Sequence, residues 1–311
     1  MSTSIVRTSD AWWVKSADRA AKIATSASTT GELLADRAAI TAAADGDTVP
    51  VDGLELLSPV TRPCRVVAQM TNFESHVKDS GMDPKTVPLT FFRKSSASIS
   101  GPFDDIIKPK HVQFLDYEVE IGLVIGRDMP VGTTVTDSNL GDYVAGLVIT
   151  NDVSARDIQL PQTQFYEAKS YPTFTPVGPE LVLLDAGELT RFGDLRLKLS
   201  VSGDERQNGL VDGDMLYRPL AALQSLSRFQ DLAAGDLVLT GTPAGTALVA
   251  PPKPIEMIGA LLPPAVKWKA FFKRQAGNPK YLRHGDVVEA SVATDDGAID
   301  LGAQRMKVVY A

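Results

Sequence analysis

The sequence predicts an α+β fold that is predominantly β. Three observations carry this: many short apolar runs with period-two alternation, few stretches patterned for a long helix, and Pro/Gly-rich punctuation between the runs. The chain has 311 residues, 44% hydrophobic and 22% charged, enough for one large domain and a smaller one with a buried core. A net charge of −7 and the lack of a clustered Lys/Arg face with interleaved aromatics speak against nucleic-acid or anionic-membrane partners. Cys64 is the only cysteine, so no intrachain disulfide forms and a reducing compartment is expected. Met1 to Trp13 lacks a basic start followed by an apolar run, and no stretch approaches the ~20 apolar residues of a membrane span. A soluble, cytoplasmic protein is the expectation.

The Ala/Ser-rich stretch from Ala11 to Asp47 contains Glu32 to Ile40 at helical spacing and predicts a small helical region. Asp52 to Pro59 reads as a short strand closed by proline, and Pro59 to Pro63 as a boundary. The division is therefore 1–63, a small N-terminal helical and strand region, and 64–311, the main domain. Arg65 to Met70 is a strand, followed by a polar loop that passes into one helical turn ended by Gly81. His76 and Asp79 are three apart there, a spacing that lets a carboxylate orient an imidazole. Phe91 to Lys94 reads as a strand and Ser98 to Asp104 as a turn.

The run Phe114 to Gly126 reads as one strand with Asp116, Glu118 and Glu120 on one face and apolar side chains on the other. Residues two apart lie roughly 6.5 Å from each other, so both glutamates point at one place. Two carboxylates beside an apolar sheet need a shared proton or a cation, and a hard divalent ion is the simplest answer. The plain alternative is a solvent-facing sheet surface. Asp142 to Asp152 is a second apolar strand that ends in an acid, so Asp152 offers a third corner. Ala155 to Gln159 and Glu167 to Pro179 read as polar loops of the kind that carry chemistry on a rigid sheet. Leu181 to Leu184 and Leu195 to Val201 are strands, with a turn at Ser202 to Arg206. Leu220 to Phe229 is an amphipathic helix, and Asp236 to Gly245 a strand with a tight glycine turn that permits close backbone approach. Gly285 to Val292 and Ala298 to Val309 close the chain as strands around an Asp295-Asp-Gly297 hairpin signal. There is no fixed-period repeat.

Five segments in order, Phe114 to Ile121, Asn151 to Asp157, Lys169-Ser170, Pro176 to Pro179 and Gly241 to Gly245, resemble the fumarylacetoacetate hydrolase superfamily from about Cys64 onward. The resemblance implies a mixed β-roll or sandwich, a homodimer, and Mg²⁺ or Mn²⁺, with Ca²⁺ admissible, on Glu118, Glu120 and Asp152. It implies a histidine–acid pair on a lid, landing on His76 and Asp79, where many members have glutamate. Lys169, Arg156 and Gln159 would surround the substrate oxyanion, and Thr242 would contact a substrate carboxylate or carbonyl. Asp116 is left in an outer or structural place, and His111 and His284 are structural or solvated. Arg156 also reads as one half of a structural bridge to Asp157 or another acid.

Ala250 to Tyr281 looks like an insertion relative to small members, with Lys267 to Arg274 as an amphipathic helix. It covers the pocket or extends the dimer interface; the sequence leaves both open. The expected activity is metal-dependent hydrolysis of a carbon–carbon bond in a 1,3-diketo acid or acylpyruvate, with water activated by His76 and Asp79. Lys169, Gln159 and Arg156 would hold the oxyanion, each donor worth ~3 kcal/mol. Decarboxylation of a 2-oxo diacid, isomerisation or hydration of a 2-hydroxy-dienoate, and a catalytically silent small-ligand binder are the alternatives. The expected partner is a small-molecule keto-acid substrate.

Overall fold

The computed structural model describes residues 2–251 and 253–311. The apolar runs pair into a ten-stranded mixed sheet and a five-stranded sheet. From one edge the large sheet runs Thr48–Pro50, Arg19–Lys22, Trp12–Ser16, Thr3–Arg7, Leu181–Leu183, Val144–Asn151, Val119–Ile125, Leu237–Leu239, Val66–Gln69 and Phe91–Lys94. The small sheet runs Asp204–Leu210, Leu195–Val201, Val287–Thr294, Asp300–Tyr310 and Ile106–Lys108. The α+β, mainly β architecture predicted from the sequence is the one present.

Val119–Ile125 lies inside the large sheet and is buried at every position. Its odd-numbered face joins Leu197, Leu199 and Val292 of the small sheet in the main core. Val124, on the opposite face, packs with Val148, Leu237 and the N-terminal Leu33 and Ile40. At Gly122 the packing is close enough that a Cβ would come within 2.7 Å of Val148 Cγ2. Burial on both sides removes the solvent-facing alternative: Glu118 is 5% exposed and Glu120 2%.

Several sequence expectations need correction. Phe114 to Gly126 is not one strand: Leu115–Asp116 pairs with Ser154–Ala155, and the ladder breaks at Tyr117 and Glu118 before Val119. Side-chain amides supply acceptors there, Asn151 Oδ1 for Glu118 N–H at 2.9 Å and Gln207 Oε1 for Val119 N–H at 3.0 Å. The N-terminal stretch is also more β than its composition suggests. Trp12–Ser16 and Arg19–Lys22 are strands, and Thr3–Arg7 pairs antiparallel with Leu181–Leu183, so the sheet runs on through this segment. Helices do follow, Thr30–Ala35 behind a Thr29/Glu32 capping box and Arg37–Ala43 capped by Asp36. Asp52 to Pro59 forms no strand; Val51–Gly53 is a 3₁₀ turn, and Leu57 alone bridges to Arg7.

The segment 250–281, read from the sequence as an insertion and called so below, carries two helices, Lys253–Ala260 and Pro264–Gln275. Among the described residues no helix is long and apolar enough to cross a membrane.

Candidate active site

The break in the ladder gathers the acids. Glu118 lies in the gap, Glu120 two residues into the strand, and Asp152 just past the end of the antiparallel neighbour, with Asp152 N–H donating to Glu118 O at 2.8 Å. One carboxylate oxygen from each of Glu118, Glu120 and Asp152 falls within 4.8 Å of the others. All three are buried.

Cations hold two of these acids. Lys169 Nζ donates to Glu118 Oε2 and Asp152 Oδ2, both at 2.6 Å, and Lys94 Nζ bonds Asp152 Oδ1 and, at 2.9 Å, Phe174 O. Arg156 spans Asp116 (2.8 Å), Glu118 (2.5 Å) and Gln159 Oε1 (2.7 Å). Burial alone would raise the Glu118 pKa, but Lys169 and Arg156 outweigh it and hold the carboxyl well below its usual range. Glu120 goes the other way. Burial, Asp152 and Glu118 push it well up, and its one hydrogen bond among the described residues is from Gly241 N–H at 2.7 Å. Gly241 has φ +85°, and a Cβ there would meet Asn72 Cβ at 2.8 Å, so only glycine brings this N–H to the acid.

Four buried carboxylates, counting Asp116, thus face three buried cations, and among the described residues Glu120 has no cation of its own. A divalent ion would supply the missing countercharge, and an all-oxygen donor set suits a hard one. The triad fits a divalent metal.

His76, on helix Glu74–Asp79, lines the same cavity and is 8% exposed. Neither ring nitrogen is hydrogen-bonded among the described residues, and Nδ1 is fully enclosed. Burial lowers its pKa, with Glu118 opposing, so the ring is neutral near pH 7. The helix is the predicted one, yet Asp79 does not hydrogen-bond the imidazole and does not line the cavity; its backbone carbonyl accepts from Ala250 N–H at 2.9 Å. Thr242 lines the cavity as well, and its hydroxyl donates to Val119 O and accepts from Gln207 Nε2, both at 2.8 Å. Arg156 pairs with Asp116 and Glu118, while Asp157 caps Gln113 and Phe114 N–H. His111 and His284 are bonded to Tyr171 and Tyr310, away from this site.

The cavity is about 950 Å³. Its inner end is the triad with His76, Arg156, Gln159 and Lys169; its outer wall includes Ile255, Leu262, Trp268 and Phe271 from the insertion. That segment therefore lines the pocket, one of the two roles open for it.

A comparison with protein families matches residues 65–309 to the fumarylacetoacetate (FAA) hydrolase C-terminal family. The chain belongs to this family. It is 33% identical over 205 residues to rat oxaloacetate tautomerase Fahd2a, mitochondrial, covering 66% of this chain and 63% of that protein. It is 32% identical over 215 residues to a Dictyostelium discoideum fumarylacetoacetate hydrolase domain-containing protein 2 homolog, covering 67% and 68%. The match thus spans about two thirds of the length of these relatives. Among solved structures, one from Mycobacterium abscessus described as a probable 2-hydroxyhepta-2,4-diene-1,7-dioate isomerase superposes with a TM-score of 0.76 at 31% identity, covering 100% and 99% of the two chains. A fumarylacetoacetate hydrolase from Exiguobacterium antarcticum gives 0.73 at 27%, covering 100% of both.

Within this FAA-hydrolase framework, sequence reasoning missed one member of the site. Lys94 ends an ordinary-looking strand, and nothing local marks it; only the sheet order brings it to Asp152. Asp116 has the structural place expected of it: it accepts from Arg156, from Ala247 N–H at 2.8 Å and from Leu248 N–H at 3.1 Å, and so ties the chain just ahead of residue 250 to the charged end.

Proposed function

We propose that this chain is an enzyme that moves a proton on a 2-oxo acid, a keto–enol tautomerase or double-bond isomerase, with a divalent ion, Mg²⁺ or Mn²⁺, held by Glu118, Glu120 and Asp152. The observation that carries this reading is His76, a buried neutral imidazole with no protein partner, in the cavity that the triad closes. The ion would supply Lewis-acid charge stabilisation to the oxygens of a 2-oxo acid. His76 takes the proton from the carbon beside the carbonyl and returns it to the oxygen or to a carbon further along, so no atom is gained or lost. Lys169 and Arg156 hold Glu118 in its ionised form, Lys169 also fixes Asp152, and Arg156 holds the carbonyl oxygen of Gln159 on the cavity wall. Similarity to proteins described as an oxaloacetate tautomerase and a dienoate isomerase supports the same class.

Hydrolysis of an acylpyruvate or 1,3-diketo acid is the second reading, favoured by Gln159, whose amide nitrogen has no protein partner among the described residues and suits a developing oxyanion. It needs a base oriented by an acid, and Asp79 does not provide that contact. A homodimer in a reducing compartment such as the cytoplasm belongs to the same proposal. Leu261 (86% exposed) and Met257 (72%) on the insertion are surface that a second copy would cover.

Enol-enriched oxaloacetate and a synthetic acylpyruvate test the reading. Loss of the enol absorbance should accelerate with enzyme, stop with EDTA and return with Mg²⁺, while pyruvate release reports hydrolysis. If no 2-oxo acid in a broad panel is turned over by metal-replete protein, the enzymatic reading fails.

A further inference from the structure

We propose that the substrate carries a bulky apolar tail, an alkyl chain of several carbons or a ring, lodged under the insertion. This rests on the reading above for the acid head and adds the rest of the molecule. The cavity lies at the upper end of the range for drug-sized ligands, far more than a short diacid fills. The charged end leads directly into aromatic wall: Lys169 Nζ lies 5.3 Å from the Phe92 ring centroid, and Phe92 is 5.2 Å from Phe165. Both rings line the cavity.

The opposite wall is the insertion. Phe272 stacks on Phe114 at 5.2 Å and fixes helix Pro264–Gln275 to the core, which leaves Trp268 and Phe271, paired at 5.7 Å, on the cavity. Apolar side chains around this space remain wet, with Met82 44%, Val249 42% and Ile255 48% exposed. An apolar tail would take that surface out of water, at about a fourfold gain per buried methylene.

A second carboxylate finds less. Arg156 and Lys169 are committed to the inner acids. Of the other cations on the cavity, Arg274 is exposed, and Lys267 is half-buried with its ammonium 5.2 Å from the Trp268 ring. Ion pairs at such solvated positions contribute little. Asp83 on the same lining disfavours a distal anion further.

The test uses N-substituted oxamates, unreactive 2-oxo acid mimics, titrated calorimetrically into the Mg²⁺-loaded full chain. N-hexyl and N-benzyl oxamate should bind on the order of tenfold or more tighter than N-methyl oxamate, and a carboxylate on the end of the hexyl chain should erase the gain. Phe271→Asp and, separately on the other helix, Ile255→Asp should flatten the gradient. Equal affinity along the series, no binding of the hexyl compound, or tightest binding of the carboxylate-ended one overturns the proposal. Because these probes need no turnover, the tail is tested even where the 2-oxo acid panel shows no catalysis.

Discussion

At its inner end the cavity meets six charged side chains that hold one another, with Glu120 beside them on the Gly241 N–H, whereas its outer wall is two helices and a loop that leave apolar side chains wet. The inner groups are fixed by ion pairs shared between elements far apart in sequence, so each depends on the others. The insertion is fixed mainly by aromatic stacking on Phe114 and by the Asp116 bonds to Ala247 and Leu248. A change at the inner end should therefore be felt in chemistry and stability together, and one at the outer end in selectivity.

The sharpest expectation concerns the one inner side chain that is not tied. His76→Ala should lower kcat by about 10²- to 10⁴-fold while leaving metal affinity and stability near wild type. Metal binding lost along with activity would put His76 in the ion's own shell instead. The pH profile of kcat/KM checks the same residue. Its folded pKa is below the usual 6.5, so the neutral, basic form persists as pH falls through that value. The plateau should extend below pH 6.5, with the acid limb beneath it. A limb centred above 6.5 would contradict the burial that the structure shows.

Arg156 probes the tied groups. Arg156→Met leaves Asp116 and part of Glu118 as buried charges without their partner, a loss of about 3–5 kcal/mol in urea unfolding at neutral pH. Less than about 1 kcal/mol would mean that the inner end is wetter than its burial implies.

The two ends were not equally legible in the sequence. Glu118 and Glu120 could be found because like charges two apart in an apolar run have no cheap explanation, and Asp152 because it ends the next such run. The break at Tyr117 and Glu118 could not, since it depends on acceptors from Asn151 and Gln207 far along the chain. Lys94 was hidden for the same reason, its meaning arising from pairing of distant strands. The N-terminal strands were masked by small residues: Ala20 and Ala21 are buried but weak as β signals, and the partner strand Leu181–Leu183 lies far away. In the segment after Ala250 the helix at Lys267 to Arg274 could be read from its pattern, but neither the helix Lys253–Ala260 nor the surface the two face could be.

Asp79 gives the smallest effect and the finest test of the comparison, because it sits between the two ends. Spacing on a helix places it beside His76, but such a neighbour contributes only about 0.5 kcal/mol without a bond. Its side chain is half-buried and makes no hydrogen bond to the imidazole, while its carbonyl is joined to Ala250 at the start of the insertion. Asp79→Asn, which keeps shape and removes charge, should change kcat by about twofold. If it costs as much as His76→Ala, the carboxylate must swing onto the imidazole when substrate binds. The helix would then move with the insertion, and water activation by an oriented histidine, the hydrolytic chemistry, would become the better reading of the site.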